Sequence, residues 1–223
     1  MIGRLRKRRF IFTAILYFLY VPPMRLFFLL MILVLAACTV SKNPLRREAR
    51  LLQKGAIRDD SSYVYDLPFE NSKSHLLVQG YFTRFSHRER AALDFKMKKG
   101  TKICAARDGV VIRLKEDGDR GGWNRKYRPY GNYIIIAHSD SSRSGYWHLQ
   151  KNGVLVNVGD SVKQGQVIGL SGKTGYAMFP HLHFLVWGFD EKGNWRQIPT
   201  RFQTSNGVKY LHSVKRYYKH NSS

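Results

Sequence analysis

The segment Val156-Asn157-Val158-Gly159-Asp160-Ser161-Val162-Lys163-Gln164-Gly165-Gln166-Val167-Ile168-Gly169 sets apolar residues and glycines about every three positions. Neither an amphipathic helix nor a long alternating strand fits that spacing. It predicts short strands joined by tight turns, with glycine supplying backbone conformations that other residues resist. Neighbouring segments agree. Residues 102–106 run into the turn Arg107-Asp108-Gly109 and a strand at 110–115. Three consecutive isoleucines, Ile134 to Ile136, mark another strand, and 145–149 a further one. Residues 184–187 and a hairpin at Asp190-Glu191-Lys192-Gly193-Asn194 close the core. With 43% apolar residues in 223, the chain has enough for one folded domain, expected to be all-β with two packed sheets whose strands bend sharply.

The N-terminus is different. Arg4-Leu5-Arg6-Lys7-Arg8-Arg9 is a positive n-region. Apolar runs follow at 10–21 and 26–37, broken at Pro22-Pro23, and each is shorter than the roughly 20 residues that span a bilayer. The second ends Leu35-Ala36-Ala37-Cys38, small residues before a cysteine, which resembles the lipobox of bacterial lipoproteins. Cys38 would then be lipidated and become the first mature residue. Met24-Arg25 also suits the start of a shorter signal. The alternative is an uncleaved, Pro-kinked membrane anchor. Both readings hold the rest of the chain at a membrane, facing the periplasm or cell exterior. The expected organisation is a lipoprotein signal peptide at 1–37, a polar tether at 38–62 with a short helix near 45–53, a folded domain at 63–210 and a basic tail at 211–223.

A net charge of +23 predicts attraction to a polyanion: nucleic acid, anionic lipid or an acidic wall polymer. Export argues against nucleic acid. Two cysteines, Cys38 and Cys104, exclude a disulfide framework, and Cys104 among Ile103, Ala105 and Ala106 reads as a small buried hydrophobe. Residues 117–130 form a long basic and aromatic loop, either a solvated excursion or one wall of a substrate groove.

Two histidines, His181 and His183, sit at i and i+2 in an apolar run ending at Trp187. On a strand they share one face, about 6.6 Å apart along it. Such a pair can bind a metal or act as acid and base beside one.

Four pieces occur in order: Ser86-His87, then Ala92-Leu93-Asp94-Phe95; Gly100-Thr101 with Asp108-Gly109-Val110-Val111; Tyr146-Trp147-His148-Leu149; and His181-Leu182-His183. Together they resemble the LytM/lysostaphin-type zinc metallopeptidases of family M23, over about residues 81–187. The segment at 156–169 also matches that family's bent-strand hybrid barrel, a duplicated hybrid motif. The resemblance implies that Zn2+ is held by His87, Asp94 and His183, that His148 and His181 are the catalytic pair, and that Tyr81 helps stabilise the transition state. Three N/O ligands leave one tetrahedral position for water, as a catalytic zinc site needs. The implied activity is hydrolysis of peptide cross-links in bacterial peptidoglycan.

Two departures stand out. Many relatives have His-x-x-x-Asp, but six residues separate His87 from Asp94 here, and Arg90, at the shorter spacing, cannot ligate zinc. Residues 88–90 read as a small insertion. Leu185 stands where relatives often carry Glu. A non-catalytic wall-binding relative, or an activator of another hydrolase, is the alternative, disfavoured because no ligand or catalytic position is missing. Lys173 in a glycine-flanked turn suggests a lipoyl-type carrier but lacks the Met-Lys context. His138, at a strand end, reads as structural. The sequence leaves the cleaved bond and the oligomeric state open.

Overall fold

The structure, a computed structural model, describes residues 42–60 and 62–219. The expected signal segment 1–37 and the lipidation candidate Cys38 lie outside the described residues. One helix, α1 (Leu45–Lys54), precedes the strands β1 (Val64–Tyr65), β2 (Ser74–Gln79), β3 (Ala92–Lys96), β4 (Lys102–Cys104), β5 (Gly109–Lys115) and β6 (Gly121–Gly122). A 3-10 helix at Arg125–Tyr130 leads into β7 (Asn132–Ala137), β8 (Arg143–Val154), β9 (Ser161–Val162), β10 (Val167–Ser171), β11 (Gly175–Tyr176) and β12 (His181–Phe189). The last strands are β13 (Trp195–Ile198), β14 (Arg201–Thr204), β15 (Gly207–Tyr210) and β16 (Lys215–Tyr218).

The fold is all-β in class. The main sheet runs β16-β2-β3-β12-β8-β7-β5-β9, and β10 joins both β4 and β8. Among the described residues no strand pairing closes this sheet into a barrel. The expected sharp bending is carried by β8. Its first half lies between β12 and β7, whereas Leu149 and Val154 pair with Ser171 and Gly169 of β10. The three-residue periodicity at 156–169 has a direct cause. Val156, Val162 and Ile168 point inward, while Gly159 (φ 96°) and Gly165 (φ 83°) make left-handed turns between them.

The core centres on Phe184, which meets Tyr146 at 5.2 Å, Phe202 at 5.8 Å and Tyr65 at 6.5 Å, mostly edge to face. Burying such a ring stabilises the fold by roughly 1.5–3 kcal/mol. Tyr146 keeps its hydroxyl satisfied by accepting from Ala106 N at 2.8 Å. His138 is structural, as expected. Its Nδ1 bonds Asp108 O and its Nε2 bonds Ser144 Oγ, and burial lowers its pKa. Cys104 is buried on β4 with a free thiol.

Two flanking segments differ from the sequence reading. Residues 45–54 are not tether: Leu45 and Ala49 are buried, Leu52 packs on the core, and Gln53 Nε2 donates to Leu211 O at 2.6 Å. The 3–4-residue spacing of those three apolar side chains gives a half-charged helix one apolar stripe. The basic tail carries a strand within the described residues. β16 pairs antiparallel with β2, and Leu211 and Tyr217 are buried.

Candidate metal centre and its cleft

Asp94 is the geometric centre of the site. It lies on β3, between β2 and β12, where cross-strand neighbours share a face. On one side its register partner is Gln79, and on the other His183, whose own partner across β8 is Trp147. Gln79, Asp94, His183 and Trp147 therefore form a row across four adjacent strands. His87 comes from the loop after β2. Its six-residue separation from Asp94 is absorbed by a closed turn, in which Arg90 N donates to His87 O and Phe82 N to Arg90 O, both at 2.9 Å.

His87, Asp94 and His183 are all buried, and one ligand atom from each lies within 4.8 Å of the others, the sole such group among the described residues. Asp94 Oδ1 is 2.8 Å from His183 Nδ1, and Oδ2 is 3.1 Å from His87 Nε2. Gln79 Nε2 donates to the same Oδ2 at 2.8 Å and to Ser86 Oγ at 2.9 Å, tying the His87 loop to the carboxylate.

Three imidazoles are fixed in the same way. His87 Nδ1 lies 3.2 Å from Gly80 O, His148 Nδ1 2.7 Å from Thr174 O, and His181 Nδ1 2.8 Å from Phe179 O. A carbonyl only accepts, so each Nδ1 carries the hydrogen. In the neutral rings this leaves each Nε2 with a lone pair. The contact between His87 Nε2 and Asp94 Oδ2 is then acceptor to acceptor, and His87 Nε2 has no hydrogen-bond partner. Such a contact calls for a proton or a metal cation between the atoms, and the buried N/O donor set suits a divalent cation such as zinc.

The electrostatics agree. Burial opposes ionisation of Asp94, but His87, His181 and the bond from His183 outweigh it and hold the carboxyl well below its usual range. Burial lowers His183 to about 4 against the pull of Asp94. Burial, then the like charges of His181 and His183, keep His148 well below the ordinary imidazole value. The carboxylate is thus ionised at neutral pH, with His148 and His183 uncharged.

His148 reaches the site through backbone conformation. Successive strand residues face opposite ways, yet Trp147 and His148 both line the same cleft. His148 has φ 67°, a left-handed value at the point where β8 leaves β12, and this turns its ring inward. Its ring centroid lies 4.6 Å from that of His181 and 5.7 Å from that of His183. The cleft encloses about 370 Å³ and is walled by aromatic residues including Phe85, Trp123, Tyr176 and Trp187. Trp123 and Arg128 belong to the 117–130 segment, so that loop is a wall of the cleft rather than a solvated excursion.

Four of the five metal and catalytic candidates, Asp94, His148, His181 and His183, line this cleft, and His87 lies buried behind Asp94. Tyr81 does not join them. Its hydroxyl donates to Thr200 O at 2.9 Å and accepts from Thr200 N at 3.2 Å, inside the core. The expected transition-state role is therefore corrected to a packing role, since no free hydroxyl hydrogen faces the cleft. Gln79 is the residue sequence reasoning missed, and Trp147 was noted only as a neighbour of His148. Nothing local marks Gln79, because it is placed by strand register.

Residues 88–195 match the model for Peptidase family M23. An uncharacterized metalloprotease of Buchnera aphidicola subsp. Baizongia pistaciae is 40% identical over 109 residues, covering 49% of this chain and 26% of that protein. Peptidoglycan DD-endopeptidase ShyA of Vibrio cholerae is 40% identical over 92 residues, covering 41% and 18%. The chain thus spans about a quarter or less of those relatives' length. The catalytic domain of lysostaphin from Staphylococcus simulans is 30% identical, with 56% of this chain and 88% of that one covered at a TM-score of 0.39. Asp94 and His183 of the cluster fall inside the matched stretch and His87 immediately precedes it, and the chain carries a Peptidase family M23 domain over residues 88–195.

Proposed function

We propose that this chain is a zinc-dependent endopeptidase that hydrolyses peptide cross-links of bacterial peptidoglycan, anchored through a lipidated Cys38 and facing the periplasm or cell exterior. The observation that carries the reading is the convergence of His87, Asp94 and His183 beside two further imidazoles, each with a lone pair on Nε2. The name of the ShyA relative, a peptidoglycan DD-endopeptidase, supports the substrate class.

His87, Asp94 and His183 would hold the zinc, which when bound supplies Lewis acidity toward a carbonyl and toward water at neutral pH. Proton movement falls to the chain itself. His148, kept unprotonated by burial, accepts a proton from attacking water at Nε2. His181 offers a second Nε2, 3.6 Å from Asp94 Oδ1, where the carboxylate stabilises the imidazolium formed when a proton arrives. The proton that His148 takes from water is the one relayed to His181 Nε2 and on to the leaving amine, so both imidazoles end neutral.

In the purified full chain, His183→Ala should lose both bound zinc and digestion of peptidoglycan. His181→Ala should keep about one zinc per chain and lose digestion alone. Metal content by elemental analysis and muropeptide mass spectrometry give the two readouts. Wild type that binds the wall but releases no muropeptides would replace this reading with that of a non-catalytic wall binder or activator.

A further inference from the structure

Two guanidinium groups open onto the cleft. Arg90 lies three residues after His87 on the loop that β2 feeds, and Arg128 lies in the 3-10 helix of the opposite wall. Both side chains are exposed, and neither makes an ion pair with any carboxylate among the described residues. Asp94 is the sole acid lining the cleft, and its two oxygens are engaged by His183, His87 and Gln79. The cleft therefore sets two positive charges against the single carboxylate of Asp94, which leaves an excess of positive charge.

The main chain that carries each cation is held in place. The Arg90 main chain is tied at both ends, to His87 O and Phe82 N. The 3-10 helix that carries Arg128 is capped by Asn124 Oδ1, which accepts from Lys126 N at 2.9 Å, and closes with Gly131 N donating to Arg128 O. The Arg128 guanidinium stands 5.7 Å from the Tyr176 ring centroid. The two charges sense each other: desolvation and then the charge of Arg128 lower the pKa of Arg90, with Asp94 opposing. Two like charges converging on one cleft are unfavourable alone and favourable once an anion lies between them. Guanidinium pairs carboxylate in a planar, two-bonded geometry, which matches the anionic group that a peptide carries.

We propose that Arg90 and Arg128 select a substrate with a free carboxylate next to the scissile peptide bond. This specificity rests on the endopeptidase reading. It favours cross-links built on a residue with a spare carboxylate, such as diaminopimelate, over an uncharged glycine bridge.

The test uses two synthetic cross-linked peptides that differ only in that carboxylate, one free acid and one carboxamide. Affinities for the full chain are read from tryptophan fluorescence, because Trp123 and Trp147 line the cleft. Cleavage is followed separately by mass spectrometry. Wild type should bind the acid about 10-fold more tightly than the amide, and this ratio should shrink as salt rises. In Arg90→Gln/Arg128→Gln the ratio should collapse toward one. Arg90→Lys/Arg128→Lys should restore part of it, since charge returns without the fork geometry. Equal affinities in wild type, or an unchanged ratio in the glutamine variant, would overturn the assignment. Discrimination in binding without cleavage would sink the endopeptidase reading and leave the arginine pair standing. Cleavage without discrimination would do the reverse.

Discussion

Gln79 shows how one uncharged side chain can govern a charged centre. It donates to Asp94 Oδ2 and to Ser86 Oγ, and accepts from Ser86 N, so it orients the carboxylate and pins the loop that carries His87. Groups that orient metal ligands commonly contribute 10–100-fold to affinity. Gln79→Ala should therefore weaken metal binding by about 10-fold or more, measured by chelator competition, with the folded chain retained. The members of the cluster, His87, Asp94 and His183, were legible in the sequence because His and Asp in this order are chemically distinctive. Gln79 was not, because an amide on a strand is unremarkable until its neighbour across the ladder is known. Tyr81 was misread for the opposite reason. Its position beside the motif suggested chemistry, but the β2–β3 connection buries it against Thr200.

At the scale of elements, β8 does the most to assemble the site. Gly145 leaves room for the Trp147 ring: a Cβ there would lie 2.1 Å from Trp147 Cζ3. That ring cannot move freely, being stacked with Tyr133 at 5.9 Å and edge-on to Trp187 at 5.4 Å. Gly145→Ala should cost about 1–3 kcal/mol through overpacking. The expected melting-temperature drop is roughly 3–10 °C by calorimetry. Displacing Trp147, whose ring is 6.0 Å from His183, should also raise KM. The strands of 102–189 were readable because turn glycines and buried aliphatic residues alternate closely. The helix α1 was legible near 45–53, but its packing on the core, and the whole of β16, were masked by charge. α1 shows few apolar residues, and β16 (Lys215–Tyr218) joins the sheet through main-chain hydrogen bonds that carry no compositional signature.

At the scale of the whole molecule, the all-β class followed from turn-rich patterning, but closure did not, since sheet closure depends on pairings between distant strands. Fold stability also carries a pH signature. Burial opposes ionisation of Asp140, yet hydrogen bonds from Ser142 and Arg107 outweigh it and lower its pKa from 3.8 to about 2. A lowered folded-state value means that Asp140 stabilises the fold fully above the unfolded pKa and loses that contribution as pH falls from about 4 toward 2. Asp140→Asn should be less stable at pH 7, and the gap from wild type should narrow across that window in urea midpoints. The carbonyls of Gly80, Thr174 and Phe179, which fix three imidazoles, belong to the main chain. No replacement of those three residues' side chains removes the acceptors. The proton pattern of the centre is therefore inherited from the path of the chain. It should tolerate drift in residue identity around these loops and fail when an insertion or deletion shifts one of those carbonyls.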